Sequence, residues 1–331
     1  MTALSEQDCF VFYQLPNSNE IFFLKGEKWK TIDLQSDLLF NGFIISNSDK
    51  SSTYLLEGKT TSISSKFHIT PPSFINQKEL NKNEYLNKAA DFIFACKNGL
   101  KKVILSRIKK QSKNESKDPW DTFLNICNTY NHSFNYLLNI PTLGMWMGAS
   151  PETLITGNNK EYKTISLAGT KTLFENNNWM QKEIEEQKFV TDYIAQKLNS
   201  HNISNHYNPT PETVSAGNLS HLKTTFDIYT DKPPLQVANL LHPTPAVCGL
   251  PQKEALEFIQ KKEGYNRSFY TGFLGPVDNK NCNLFVNLRC MQVFKSEYWL
   301  YVGGGITASS VPEKEWEETE LKAQTLLDIL D

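Results

Sequence analysis

Near the end of the chain, Gly303-Gly304-Gly305 runs into a segment carrying Glu315, Glu318 and Lys322. On a helix predicted from about Glu313 to Leu330, these three side chains lie three and four residues apart and project from one face. Acids crowd near that helix's N-terminus, where the helix dipole stabilises negative charge. A glycine turn beside them lets backbone N–H groups approach an anion closely. Together these features suit a site that holds a metal ion and an anion. Trp316, Leu326, Leu327 and Leu330 supply apolar surface for packing elsewhere on the helix. A second pair, Glu183 and Glu186, sits one turn apart on a helix predicted from Trp179 to Leu198, whose other side carries Met180, Ile184, Val190, Ile194 and Leu198. Arg289, flanked by Val286, Leu288 and Val293 in a strand-like segment, is a costly charge in a sheet, and a bidentate grip on a carboxylate explains it.

Positioning these groups requires a mixed scaffold. The first 75 residues alternate short apolar runs (Phe10 to Tyr13, Ile21 to Leu24, Leu38 to Ile45) with polar turns, a pattern of small strands and hairpins. From Glu79 to Cys96, apolar residues fall at helical intervals, and Lys97-Asn98-Gly99 ends that helix. A strand from Lys102 to Arg107, a charged loop from Lys109 to Lys117, a helix from Asp118 to Tyr130, and strands Phe134 to Ile140 and Gly144 to Met147 are expected next. A loop rich in Asn, Glu175 to Asn178, precedes the Trp179 helix. Helices Leu235 to Leu241 and Lys253 to Lys262 follow, and strands Phe269 to Leu274, Asn283 to Val293 and Tyr298 to Val302 lead to the glycines. The order is an α+β pattern. Without repeats or a linker, it predicts one continuous domain, with 1–75 its β-rich start and 76–331 its core.

Composition narrows the function. The 331 residues are 39% hydrophobic, enough for a substantial core, and the formal net charge of -2 gives no reason to expect nucleic acid or an anionic membrane as partner. No apolar run approaches the roughly 20 residues of a membrane helix, and the N-terminus lacks a signal-peptide pattern, so a cytoplasmic protein acting on a small molecule is expected. The six cysteines show no C-x-x-C pair and no metal-ligand spacing with the six histidines, and are expected to be reduced and mostly buried.

Eight segments in order carry a family resemblance: Lys102 to Arg107, Gly148 to Leu154, Leu167-Ala168-Gly169-Thr170, Glu186 to Val190, Leu241 to Gly249, Glu263 to Gly275, Leu288-Arg289-Cys290 and Gly303 to Lys322. In these the chain resembles the chorismate-utilising enzymes, which include isochorismate, salicylate, anthranilate and aminodeoxychorismate synthases. Ala168 stands where aminodeoxychorismate synthases place a nucleophilic lysine, leaving water as nucleophile, and His242-Pro243-Thr244-Pro245-Ala246 looks like the isochorismate synthase form. Gln187, Lys171 and Ser268 depart from the family's usual His, Arg and Gly.

The resemblance implies two antiparallel sheets packed face to face with helices outside. It implies a Mg²⁺-dependent isochorismate synthase working on chorismate as a monomer, with Lys102 as general base for water and Glu152 as general acid for the leaving hydroxyl. Ala168, Gly169, Thr170, Ala246, Tyr270, Arg289, Lys322 and the backbone of Gly303 and Gly305 would contact substrate. Glu186 and Glu318 would ligate Mg²⁺ directly, and Glu183 and Glu315 directly or through water, an all-oxygen set that suits this ion. His201 and His206 have no part in this scheme, and His242 shapes its loop. A salicylate synthase, which goes on to eliminate pyruvate, and a catalytically silent chorismate-binding subunit are the alternatives.

Overall fold

The computed structural model describes residues 2–36, 40–73, 78–172, 178–216, 219–278 and 281–330. Two large antiparallel sheets carry it. Across the first, the strands run Gly249–Leu250, Lys102–Ser112, Glu297–Ile306, Cys290–Val293, Gly144–Ser150, Phe134–Ile140, Cys9–Gln14, Ile21–Gly26 and Thr61–Ile63. Across the second they run Ser204–Tyr207, Leu219–Tyr229, Glu161–Thr172, Thr153–Asn158, Asn281–Val286, Phe273–Val277, Gly42–Ser46, Thr53–Glu57 and Trp29–Thr31, with Glu212–Ala216 also paired to Leu219–Tyr229.

The Cys9–Gln14 strand shows why the sheets stack. It is buried throughout, and alternate residues face opposite ways. Phe10 and Phe12 pack outward with Trp120 and Phe123 of the Pro119–Thr129 helix. Val11 and Tyr13 pack inward with Phe43, Phe134 and Phe285. Phe134 and Phe285, one from each sheet, stack with ring centroids 4.3 Å apart. The Pro312–Leu327 helix covers the same outer face as Trp120. Gln181–Ser200 and Pro234–Leu241 cover the second sheet, and Lys82–Lys97 and Gln252–Lys262 pack over Val103 and Leu105. This is the expected α+β architecture.

Several elements differ from expectation. The first helix begins at Lys82, because Asn81 and Glu84 form a capping box there. The supposed charged loop starts as strand: Lys109–Ser112 continues the ladder with Glu297–Leu300, Lys110 lying over the Trp299 ring. The Phe269 strand starts only at Phe273, because Ser268 and Thr271 hold positive φ. Gly303–Gly305 is not a turn but part of the strand ending at Ile306. Five strands between Thr153 and Tyr229 had no sequence signal, their Thr, Ser and Lys content masking the alternation. Of the Leu38 to Ile45 run, the part described from Phe40 onward becomes strand at Gly42, in Gly42–Ser46, and 37–39 and 175–177 lie outside the described residues.

A buried ion pair finishes one sheet edge. Beyond Val103 the Lys102–Ser112 strand loses its Gly249–Leu250 partner, and side chains take over. Glu263 Oε1 accepts from the Ser106 N–H at 2.7 Å, while Arg267 donates to the Ile104 carbonyl at 2.9 Å, to the Val247 carbonyl at 3.0 Å and to both Glu263 oxygens. Arg267→Met leaves the Glu263 carboxylate buried without its partner, so urea unfolding should show a loss of about 3–5 kcal/mol. Replacing both residues by apolar ones should recover much of that loss.

Candidate active site

The chain crosses between the sheets twice at one place. Pro151 and Glu152 join Gly144–Ser150 of the first sheet to Thr153–Asn158 of the second, and residues 287–289 carry Asn281–Val286 back to Cys290–Val293. Backbone bonds lock the crossings together: Val286 N–H donates to the Glu152 carbonyl at 2.9 Å and Ala149 N–H to the Arg289 carbonyl at 3.1 Å. Arg289 therefore lies in a strand break, not in the continuous strand read from sequence. Its φ of +47° is a geometry costing a non-glycine residue on the order of 1–3 kcal/mol. Its guanidinium makes no hydrogen bond or ion pair with any described residue, and burial lowers its pKa.

Lys102 opens its strand with 1% exposure, its Nζ 2.6 Å from Glu186 Oε1 on the Gln181–Ser200 helix. A Cβ at Gly305 would stand 2.7 Å from Lys102 Cε and 3.2 Å from Glu186 Oε1, so only glycine lets the lysine lie across this strand. Arg107, five residues on and on the opposite face of the strand, docks the Pro312–Leu327 helix by lying over Trp316 at 3.9 Å and donating to Thr319 Oγ1 at 2.9 Å. That places Lys322 Nζ 2.7 Å from Glu318 Oε1 and 3.0 Å from the Gly303 carbonyl. Because Gly303 offers its carbonyl to that edge, its N–H and that of Gly305 point the same way. The neighbouring Cys290–Val293 strand ends at the Tyr301 pairing.

These elements enclose a cavity of about 170 Å³. Lys102, Glu152, Ala168, Gly169, Ala246, Tyr270, Arg289, Gly303, Gly305 and Lys322, together with Glu183, Glu186 and Glu318, all line it. Glu315, 2% exposed, is not among its lining residues and lies beyond Gly304. Thr170 belongs by backbone to the Glu161–Thr172 strand, and its side chain lies outside the described residues. Gly169 has φ +70° at a bulge facing Glu183. Sequence reasoning missed His221, which lines the cavity from the unforeseen Leu219–Tyr229 strand. Its Nδ1 lies 3.1 Å from the Gly169 carbonyl, which can only accept, so Nδ1 carries the proton. Burial and Arg289 push its pKa down to about 4, keeping it neutral.

Among the described residues, no three His, Cys, Asp or Glu side chains are arranged to hold a metal ion. The donors nevertheless fit an oxygen-loving cation. Glu183 Oε2 is buried without a hydrogen-bond partner, and Glu315 Oε2 and Glu318 Oε1 both approach the side-chain-free face of Gly304. Lys102 and Lys322 supply the positive charge to Glu186 and Glu318 through one oxygen of each, so a bound cation would share these carboxylates with the lysines or take the lysines' place.

The cavity between the two sheets thus holds a guanidinium without a hydrogen-bond or ion-pair partner among the described residues, two lysine–carboxylate pairs and a buried carboxyl, a lining chemically suited to a small anion. Residues 38–331 match the family described as chorismate binding enzymes, and the chain belongs to that family. It is 30% identical over 210 residues to the isochorismate synthase EntC of Escherichia coli K12, covering 60% of this chain and 54% of that one. It is 31% identical over 246 residues to the vibriobactin-specific isochorismate synthase of Vibrio cholerae, covering 69% and 62%. The aligned segments thus span little more than half the length of these curated relatives. Its fold is that of a putative 2,3-dihydroxybenzoate-specific isochorismate synthase, DhbC, from Bacillus anthracis, with TM-score 0.82, 24% identity and coverage of 98% and 96%. The menaquinone-specific MenF of E. coli is similar too, with TM-score 0.80, 20% identity and coverage of 99% and 90%.

Glu152 is 3% exposed, and burial pushes its pKa from 4.5 up to about 8, with Lys102 opposing the shift. The unfolded carboxyl ionises near 4.5 and the folded one near 8, so the folded state loses stability as pH rises between those values. The slope is at most about 1.4 kcal/mol per pH unit. Glu152→Gln has no such proton to lose. Its stability relative to wild type should climb across this window and stay constant below it, as measured by urea unfolding at several pH values.

Proposed function

We propose that the protein is an isochorismate synthase, adding water to chorismate at one ring carbon while a hydroxyl leaves from another. The observation that carries this reading is a carboxyl, Glu152, held protonated near neutral pH in the same cavity as the buried amine of Lys102. Water is a poor nucleophile and hydroxide a poor leaving group, so the reaction needs a base and an acid together. Lys102 first passes its ammonium proton to Glu186 or to solvent and then, as the free amine, takes the proton of water. Glu152 gives its proton to the departing oxygen. Arg289 grips one substrate carboxylate through paired N–H donors, with Tyr270, Lys322 and the N–H groups of Gly303 and Gly305 completing the anion's surroundings.

Charge supports a divalent cation. The cavity lining carries three cations, Lys102, Arg289 and Lys322, against three carboxylates, Glu183, Glu186 and Glu318, while Glu152 and His221 are neutral. Adding a substrate with two carboxylates leaves two negative charges uncompensated in a buried site. Mg²⁺ held by Glu186 and Glu318, with Glu183 and Glu315 direct or through water, would balance them and polarise a substrate carboxylate. The reading includes a cytoplasmic monomer. No described helix is long and apolar enough to cross a membrane.

Lys102→Ala should lower turnover about 10³-fold and Glu152→Gln about 10²-fold or more, with unchanged circular dichroism. Either variant retaining a rate within tenfold of wild type would remove that residue from the mechanism. Wild-type activity should fall as pH rises through 8, where Glu152 loses the proton it must donate. EDTA should stop the reaction and Mg²⁺ restore it, and full activity in metal-free buffer would refute the cation's role. With chorismate and Mg²⁺ alone, chromatography should show a mixture of two isomers, whereas stoichiometric pyruvate with salicylate would identify a salicylate synthase.

A further inference from the structure

We propose that Gln187 is a positioning residue: its buried amide fixes the height and rotation of the Gln181–Ser200 helix, and so decides where Glu183 and Glu186 stand in the cavity. What those carboxylates then do rests on the functional reading above, but the positioning does not. Gln187 is 3% exposed and follows Glu183 by four residues and Glu186 by one, so a turn of the helix here carries both carboxylates with it. The amide ties the helix to two paired strands. Its Nε2 donates at 2.9 Å to Thr224 Oγ1 of the Leu219–Tyr229 strand and at 2.9 Å to Thr191 Oγ1 one turn along the helix. Thr191 Oγ1 donates on to Ser166 Oγ of the Glu161–Thr172 strand at 3.0 Å, and Ser166 Oγ donates weakly back to the Gln187 carbonyl at 3.5 Å. Ser166 and Thr224 are register partners, one pleat step from the Ala168 that lines the cavity, and all four side chains of the network are buried.

The rest of the helix's seat cannot set this rotation. Its apolar contribution to the core begins at Val190 and runs on through Ile194 and Leu198, away from the carboxylates. Its first turn has no side-chain cap, and Met180 and Ile184 are 67% and 40% exposed. Trp179 donates to Thr213 Oγ1 at 2.9 Å, but at the surface and ahead of the helix. Close contact at Gly169, where a Cβ would stand 3.1 Å from Glu183 Cβ, limits how near the helix comes and not how it turns. Apolar contact is non-directional, whereas a hydrogen bond weakens steeply as its angle falls off. With side chains about 5–6 Å from a helix axis, a turn of about 10° moves a carboxylate by about 1 Å. The Lys102–Glu186 pair at 2.6 Å is a further tie, but it is one that the proposed reaction rearranges, so it cannot hold the helix through turnover.

Four variants separate positioning from packing. Gln187→Leu removes the amide, Thr224→Val keeps its volume and loses the hydroxyl, Thr224→Ser keeps the hydroxyl and loses a methyl, and Val190→Ala thins the apolar seat one turn on. Carbamylation of Lys102 by cyanate, read by peptide mass spectrometry against the exposed Lys261, needs neither substrate nor metal. Cyanate attacks the free amine, and Glu186 holds Lys102 as the ammonium. A displaced Glu186 should therefore speed labelling about fivefold or more in Gln187→Leu and Thr224→Val. In the same two variants the Mg²⁺ concentration for half-maximal turnover of chorismate should rise about tenfold, the usual cost of losing a group that orients a ligand. Thr224→Ser and Val190→Ala should match wild type in both measurements, although Val190→Ala lowers the urea midpoint. Lys102 labelling at the wild-type rate in both Gln187→Leu and Thr224→Val overturns the proposal, whatever the kinetics show, and so does equal acceleration in Thr224→Ser. Faster labelling in a protein that turns over no chorismate would instead sink the isochorismate synthase reading and leave the positioning role standing.

Discussion

Two sheets that bury both faces can exchange strands only where their ladders break, and a break inside a protein must still satisfy its backbone groups. Here the crossings at Pro151–Glu152 and residues 287–289 solve that problem for each other, through Val286 N–H to the Glu152 carbonyl and Ala149 N–H to the Arg289 carbonyl. Neither Glu152 nor Arg289 belongs to a packing face of either sheet, so their side chains turn into the space between. Almost everything at the site follows from this. The acid and the anion anchor sit on adjoining backbone because the fold must cross there, and a positive φ at Arg289 is tolerated because the surrounding ladder determines it.

The second organising feature is charge balance. Lys102 closes on Glu186 and Lys322 on Glu318, at 2.6 and 2.7 Å. Several carboxylates lining one largely buried cavity would repel one another, and the lysines offset them. The same pairs are what a substrate and its counter-ion must rearrange. Burial keeps Glu152 out of the balance by holding it neutral, and His221 likewise.

Two of the three departures from the family's usual residues find structural reasons, and the serine at 268 has none. Gln187 donates through Nε2 to Ser166, Thr191 and Thr224 in a buried polar network that seats the Gln181–Ser200 helix on its sheet, away from the carboxylate face. Lys171 lies over the Trp179 ring at 4.6 Å. Ser268 takes φ +50°, a conformation in which glycine would be at ease and serine is strained.

What the sequence determined by itself was local and chemical. Helical spacing put Glu183 with Glu186, and Glu315 and Glu318 with Lys322, and motif order identified Lys102, Glu152, Tyr270 and Arg289; all but Glu315 line one cavity in the structure. Apolar periodicity located the helices within a few residues, because one stripe of each must be buried. Only the tertiary structure decided the rest. Gly303–Gly305 reads locally as a turn and becomes strand because Lys102–Ser112 supplies a partner far away in sequence, Gly303 pairing with Ser106 and Gly305 with Ile104. Arg289 reads as strand and becomes a break because its neighbours belong to different sheets. His221 and the Lys102–Glu186 pair were invisible for the same reason. Strand pairing and ion pairing join residues distant in the chain, and no local pattern records which partner each will meet.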